Sequence, residues 1–458
     1  MASKMIESYM SLLKFRKYLA LFLSIIFLIL WGLWAQPGTV AFRNFGLILG
    51  AIISSYVIWV NRPVFNLYPS KLLIAFILGL FLFIIIRLCI FPNDQNLQWY
   101  EFKSLWKRAI LGVIFGIGLG LALIETPKIY LARLIYFGLL TPTILYWVKF
   151  IIGVSPQQIS DLSLWALAQP HTRFYIPKIA YVFFCIPAFS VALKGVLNSL
   201  DAKKIHIFSV YFYIVSIVFI LLIFARENIK NGFLYVVIIS AFYLIKYLFQ
   251  NNLKVSQKKC IFTILAISII GASIVISVAE NRSWVNFYAD YKIASQVDRY
   301  QIWMNNGELP INENGEKVHG TNYDRVSWFI VGKRLVGQHP MGFGLVENSF
   351  GKLAQLTWPN TTVTQTHSGW LDVTLGLGIP GFLLIALTII ISYLALLRSK
   401  NLCAEYGASI ILSIFLVFFT TELSQRIYIE ALFLILGLAS GLVAGNSKQQ
   451  EVRKIIRG

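Results

Sequence analysis

Charge is scarce in this chain of 458 residues. Asp, Glu, Lys and Arg make up 13% of it, against 57% apolar residues. A soluble domain carries about 25% charged residues, so a soluble globular protein is excluded. The mean hydropathy of +0.71 agrees. Cysteine is scarce as well. Cys89, Cys185, Cys260 and Cys403 each stand alone in or beside an apolar run, which argues against disulfides and against a cysteine metal site. Acidic residues are half as many as basic ones, 20 against 40, for a formal charge of +20. Nucleic-acid binding is set aside, because no basic stripe is interleaved with stacking aromatics. Lys and Arg collected in cytoplasmic loops against anionic lipid account for the excess.

Several catalytic signatures are missing too. There is no G-x-x-x-x-G-K-[ST] loop, so no nucleotide-driven pump is encoded. No Asp-x-Asp pair occurs to clamp a divalent ion on a sugar nucleotide. Neither H-E-x-x-H nor G-x-S-x-G occurs, so no zinc or serine hydrolase is recognisable. The first apolar run, Tyr18 to Trp34, is too long for a cleavable signal and lacks an A-x-A site.

What the chain does have is apolar runs of spanning length. A bilayer core needs roughly 20 residues of helix, and only helices satisfy their own backbone groups in lipid. The sequence reads as an all-α polytopic membrane protein of about twelve transmembrane helices with one long, partly helical periplasmic loop. The spans fall near 18–34, 41–60, 72–90, 109–124, 129–152, 176–197, 207–224, 232–248, 260–278, 379–397, 406–421 and 428–444. Three units follow: residues 1–278 with nine helices, a catalytic loop at 279–378, and residues 379–458 with three helices and a tail. In the fourth span Gly112, Gly116 and Gly120 repeat every four residues, a spacing for close helix packing, here expected within one chain.

Orientation follows from Lys and Arg. With the N-terminus inside, the inner loops hold Lys14, Arg16, Lys17, Arg62, Lys71, Lys203, Lys204, Lys258, Lys259, Arg398 and Lys400, and the tail holds more. Lys103, Lys107 and Arg108 are the exception, in an outer loop. The 279–378 loop then faces outward, the periplasm in a bacterium. Within it Tyr323 to Val336 has near-helical apolar spacing, the HPMGFG run breaks that helix, and Ser349 to Leu356 reads as another short one. Its aromatics (Trp284, Phe287, Tyr288, Tyr291, Trp303, Trp328, Trp358, Trp370) are expected at the headgroup layer, with sugar stacking as the alternative.

The loop also holds most candidates for chemistry: Arg325, His339, His367 and Asp372. His367 precedes a span on the outer face. An imidazole titrating near about 6.5 is a natural general base; the bland alternative is a histidine with a structural hydrogen bond. Arg226 ends the seventh span on the same side. Arginine keeps its charge and grips phosphate with two donors. The alternatives are a snorkelling Arg226 and an Arg325 that is a solvated helix charge paired with Asp324. An enzyme on the outer face has no nucleotide supply, so its substrate must arrive activated, as a lipid-linked diphosphate.

At His367 the chain resembles a family. His367-Ser368, nine residues, Gly378, two residues and Gly381 look like the H-[NSD]-x9-G-x-x-G signature of bacterial O-antigen ligases. KRLVGQHPMGFGLVENSF resembles the segment that precedes that histidine in the O-antigen ligase and polymerase superfamily. FARENIKNGFLYVVI puts Arg226 on the family's span-end arginine, with Phe224-Ala225 where hydroxyl residues are usual. YDRVSWFIVGKRL puts Arg325 on its loop arginine.

The resemblance implies a metal-independent, inverting glycosyltransferase of the GT-C type, without cofactor, in the inner membrane with its site facing the periplasm. The donor would be a glycan on undecaprenyl diphosphate and the acceptor a hydroxyl of lipid A–core. His367 would be the base, and Arg226 and Arg325 would bind diphosphate. The protein would act as a monomer in the lipid bilayer. Two alternatives stay open. One keeps the donor and changes the acceptor, as in an O-antigen polymerase or a protein O-oligosaccharyltransferase. The other is a non-enzymatic transporter of lipid-linked glycan.

Overall fold

A computed structural model describes residues 2–153, 178–201, 207–250, 257–279, 286–305, 307–421 and 426–457. The described residues form helices α1 (Ala2–Leu33), α2 (Val40–Val60), α3 (Ser70–Cys89), α4 (Gln95–Glu101), α5 (Lys107–Glu125) and α6 (Ile129–Gly153). Then come α7 (Lys178–Asp201), α8 (Ile207–Arg226), α9 (Lys230–Gln250), α10 (Gln257–Ala279) and the short α11 (Phe287–Ala294). The chain ends with α12 (Gly320–Gln338), α13 (Ser349–Thr357), α14 (Gly369–Leu397), α15 (Leu402–Val417) and α16 (Arg426–Arg457). Among the described residues 10 helical stretches are long and apolar enough to cross a membrane, and shorter apolar helices lie at Thr263–Val275 and Leu402–Val417. The protein is therefore an all-α, multi-pass membrane protein.

Several helices run past their expected limits, the last to Arg457 against 444, and two spans, the fourth and the tenth, bear on the site. The fourth does not begin at 109. A π-helical turn, Phe102–Trp106, joins α4 to α5, and one helical stretch runs from Gln95 to Glu125. Lys103, Lys107 and Arg108 thus lie on helix rather than in a loop. The helix tolerates two of them because they have partners: Lys103 lies 4.9 Å from the centre of the Trp99 ring, and Arg108 pairs with Glu430 at 2.9 Å, while Lys107 is exposed. The tenth span starts at Gly369, ten residues early by the numbering, and is broken at Gly378.

Glycine packing joins α5 to α16. A Cβ on Gly116 would overlap the Leu434 carbonyl, and one on Gly441 would overlap the Ile117 carbonyl. The four-residue glycine repeat therefore serves contact within the chain. Polar contacts mark the two ends of the bundle. At one end Glu125 of α5 meets Lys448 of α16 and, at 3.8 Å, Arg16 of α1. At the other end the segment from 286 to 368 rests on the helix ends of α3, α9 and α16.

That segment has a core of its own. Trp303, Tyr323, Val331, Leu335 and Phe350 are fully buried in it. Trp303 Nε1 donates to the Val297 carbonyl at 3.0 Å, and Trp328 Nε1 to the Trp303 carbonyl at 3.1 Å. Trp303, Trp328 and Trp370 are buried in protein and do not anchor at headgroups, while Trp358 packs edge-on against Trp303. Phe287, Tyr288 and Tyr291 are exposed as expected. Trp284 lies outside the described residues. The difference is one of pairing: an indole N–H that finds a carbonyl can be buried.

Gly116→Leu is expected to push α5 from α16 and to cost about 1–3 kcal/mol. Thermal unfolding of detergent-solubilised protein should show it as a lower melting temperature. An unchanged melting temperature would mean that the helices do not touch there.

Candidate active site

The site is built on a broken helix. Gly378 has φ 70° and ψ 177°, outside helical space, in a region only glycine enters without strain. A break frees backbone groups that hydrocarbon cannot satisfy. Here the HPMGFG run satisfies them. Phe343 N–H donates to the Leu375 carbonyl at 2.8 Å, Gly344 N–H to the Gly376 carbonyl at 2.7 Å, and Ile379 N–H to the Pro340 carbonyl at 2.8 Å. Backbones can approach this closely because Gly376 has no Cβ; one there would overlap the Leu345 carbonyl.

The same run is tied to the membrane helices. Arg87 of α3 donates to the Gly342 carbonyl at 2.8 Å, and Asn93 to that of Phe343 at 2.7 Å. The buried Glu101 carboxylate accepts Val346 N–H at 3.0 Å, Glu347 N–H at 2.9 Å and Trp106 Nε1–H at 3.0 Å. Glu347 pairs with Arg426 at the head of α16. Glu101 and Arg87 carry no signal in the sequence: each reads as a stray charge near a span end.

His367 sits on the turn just before α14. Its φ is 56°, a left-handed conformation that costs a non-glycine residue roughly 1–3 kcal/mol. Buried Asp372 holds the turn. Its Oδ1 accepts Thr366 N–H at 2.9 Å and Thr366 Oγ1–H at 2.8 Å, and its own N–H donates to the Ser368 carbonyl at 2.9 Å. The imidazole stacks on the Trp328 ring, centroids 5.0 Å apart and planes at 14°.

Trp328 lies three residues after Arg325, one turn along the same side of α12. Arg325 Nη1 donates to Asn231 Oδ1 at 3.1 Å. The residue is exposed, but its guanidinium loses part of its water, which lowers its pKa, with Tyr235 opposing. No carboxylate among the described residues pairs with it. Asp324 does not, so the paired-charge reading of Arg325 does not hold. Burial alone lifts the half-buried Asp324 carboxyl to about 6. Lys230, at the start of α9, feels the positive charges of Arg325 and Lys178. Cations thus gather at the α8–α9 corner.

Arg226 ends α8 at that corner but turns toward α6. Its guanidinium lies 4.0 Å from the Phe150 ring centre and 5.4 Å from that of Tyr146, bonds the Tyr146 hydroxyl, and pairs with Glu227 at 3.4 Å. The structure therefore joins His367 to Trp328 and Arg325 to Asn231, with Trp328 and Arg325 one turn apart on α12, and Arg226 ends α8 at the same corner. His339 closes the far end of α12, its N–H donating to the Leu335 carbonyl at 2.8 Å, and takes no part in these contacts. Reading by single residues missed Lys230, Asp324 and Trp328; the Arg-x-x-Trp spacing of Arg325 and Trp328 was the available signal. Among the described residues no three His, Cys, Asp or Glu side chains gather as a metal site.

Residues 213–386 match the family model described as O-antigen ligase. The matched stretch contains the α8–α9 corner, α12, the His367 turn and the break at Gly378. No curated protein matches the chain.

Asp372→Ala should loosen the His367 turn by leaving buried donors unpaired, at about 1–3 kcal/mol. Asp372→Asn, whose amide oxygen still accepts, should recover part of this. Thermal unfolding of both variants measures the difference, and equal melting points would deny the carboxylate its part in the turn.

Proposed function

We propose, on the premise that residues 213–386 form an O-antigen ligase domain, that this protein transfers a glycan from undecaprenyl diphosphate to a hydroxyl of lipid A–core. The observation that carries this reading is that one helix, α12, carries both Trp328, on which His367 stacks, and, one turn away, Arg325, which bonds Asn231. A base and a phosphate-gripping cation on adjoining surfaces suit a sugar transfer from a diphosphate.

In this reaction the acceptor oxygen attacks the anomeric carbon of the donor glycan. The bond from that carbon to the diphosphate oxygen breaks, and undecaprenyl diphosphate leaves with the electron pair. The hydroxyl proton passes to the His367 imidazole. Attack opposite the leaving group inverts the anomeric centre. Arg325, with Lys230 beside it and Arg226 across the turn, stabilises charge as it develops on the diphosphate. Two cationic donors replace a bound metal in this scheme. Trp328 holds the imidazole plane, and the Asp372 turn holds its position. A glycan repeat or a protein side chain as acceptor needs the same donor chemistry.

The test uses purified protein in excess EDTA with undecaprenyl diphosphate–glycan and lipid A–core. His367→Ala should bind donor as the wild type does and turn over about 10²- to 10⁴-fold more slowly. Arg325→Lys should lose a factor of about 30 to 1000, or roughly 2–4 kcal/mol, because a point charge cannot replace the planar fork. Loss of donor binding in His367→Ala would make that residue structural, and EDTA-sensitive turnover would reject the metal-free scheme. In cells, a deletion that leaves all O-antigen on the carrier lipid supports the ligase; one repeat left on the core supports a polymerase.

The same reading puts the segment from 286 to 368 in the periplasm of an inner-membrane protein. Alkaline phosphatase fused at Gly315, the exposed left-handed tip beside the Ile311–Lys317 bridge, should be active. An inactive fusion at normal expression would reverse the topology.

A further inference from the structure

Helix α12 turns one flank inward. Tyr323, Ser327, Trp328, Val331 and Leu335 lie on that flank and are all buried. At 3.6 residues per turn, Asp324 falls in the middle of the same flank. It alone among these residues carries a charge. A carboxylate on an inward flank needs donors to replace the water it loses. Among the described residues none donates to its carboxylate: Ser327 Oγ bonds only the Asp324 backbone carbonyl, Tyr323 beside it brings no positive charge, and Arg325, one residue on, bonds Asn231 instead. The group stays half-buried and unpaired.

Its place is informative. Asp324 precedes Trp328 by four residues, so the two are neighbours on one face, and Trp328 carries His367 on its ring. Arg325 lies about a quarter-turn round the helix, on the side of α9, Lys230 and the cations. A diphosphate would be drawn to that side and repelled by the carboxylate. A sugar would not be repelled. Its hydroxyls are donors, and hydroxyl to carboxylate is the strong, charge-assisted kind of bond.

We propose that Asp324 binds the acceptor: its carboxylate accepts hydrogen bonds from hydroxyls of the acceptor sugar and holds the attacking oxygen near His367. This rests on the transfer reading above. Two adjoining flanks of α12 then divide the labour, with donor diphosphate on the Arg325 flank and acceptor sugar on the Asp324 flank. Asp324 is a positioning residue, and no proton moves to it.

The experiment measures kcat and both KM values for wild type and Asp324→Asn in the full-length protein, with undecaprenyl diphosphate–glycan and purified lipid A–core. The variant should raise KM for lipid A–core about 10- to 100-fold. Its donor KM should be unchanged and its kcat at saturating acceptor within a few-fold of wild type. Asp324→Glu should recover part of the loss. The melting temperature of Asp324→Asn should equal or exceed that of wild type, because an unpaired, half-buried charge has gone. An unchanged acceptor KM overturns the proposal. So does an equal rise in both KM values, or a lower melting temperature with general loss of activity. Wild type that transfers nothing to lipid A–core sinks the transfer reading and this proposal together, whereas active wild type with an unaffected variant sinks this proposal alone.

Discussion

A helix interrupted inside a membrane protein leaves carbonyls and amides that lipid cannot satisfy, and something must cover them. At Gly378 the cover is another stretch of the same chain. Three backbone hydrogen bonds, from Phe343, Gly344 and Ile379, close the gap between the HPMGFG run and the broken α14. The upper half of α14 carries Asp372 and begins at the His367 turn. The covering run is fastened in its turn to α3 and α4 through Arg87, Asn93 and Glu101. The imidazole is thereby referred back to the membrane helices through main chain and buried side chains. Long surface side chains play little part, which is how a site on an extramembrane segment can hold tight geometry.

The charges around this frame are unevenly matched. Arg226 has Glu227 beside it, a tyrosine hydroxyl to bond and two rings beneath it. Among the described residues Arg325 has an asparagine oxygen to bond and no carboxylate, and Lys230 adds a like charge nearby. The two arginines are therefore not equivalent. Much of the field of Arg226 is cancelled in place, whereas that of Arg325 reaches outward. An unmatched cation is costly in a dry interior, and the opening to solvent at Arg325 is what makes it tolerable.

Much of the architecture was legible in the sequence, because spans announce themselves by length and apolarity and the glycine repeat of α5 announces close packing. The helix read over Tyr323 to Val336 was legible for a similarly local reason, its apolar period, and lies within α12. The start of the fourth span was not. Lys103 and Arg108 looked like loop charges, and only the positions of Trp99 and Glu430 in space show why a helix can carry them. Burial of Trp303 and Trp328 was also hidden, since it depends on carbonyls about 6 and about 25 residues away in the chain. At the site, His367 and Arg325 stood out through a spaced signature. Asp324 did not, because a carboxylate next to an arginine looks like its partner until the structure shows the guanidinium facing α9. Glu101 depends on a contact across some 245 positions of sequence, which no local pattern reports.

The left-handed backbone at His367 also limits what that position can become. Glycine would relax the turn and remove the ring. A β-branched residue would tighten the strain and still lack an imidazole. If the imidazole is the base of the proposed transfer, a substitution that relaxes this turn gains stability by giving up that chemistry, so folding and chemistry pull in opposite directions there. The Asp372 bonds and the Trp328 stack hold the balance. They spend folding energy to keep a strained residue in place, and they make the turn a point where a more stable protein need not be a more useful one.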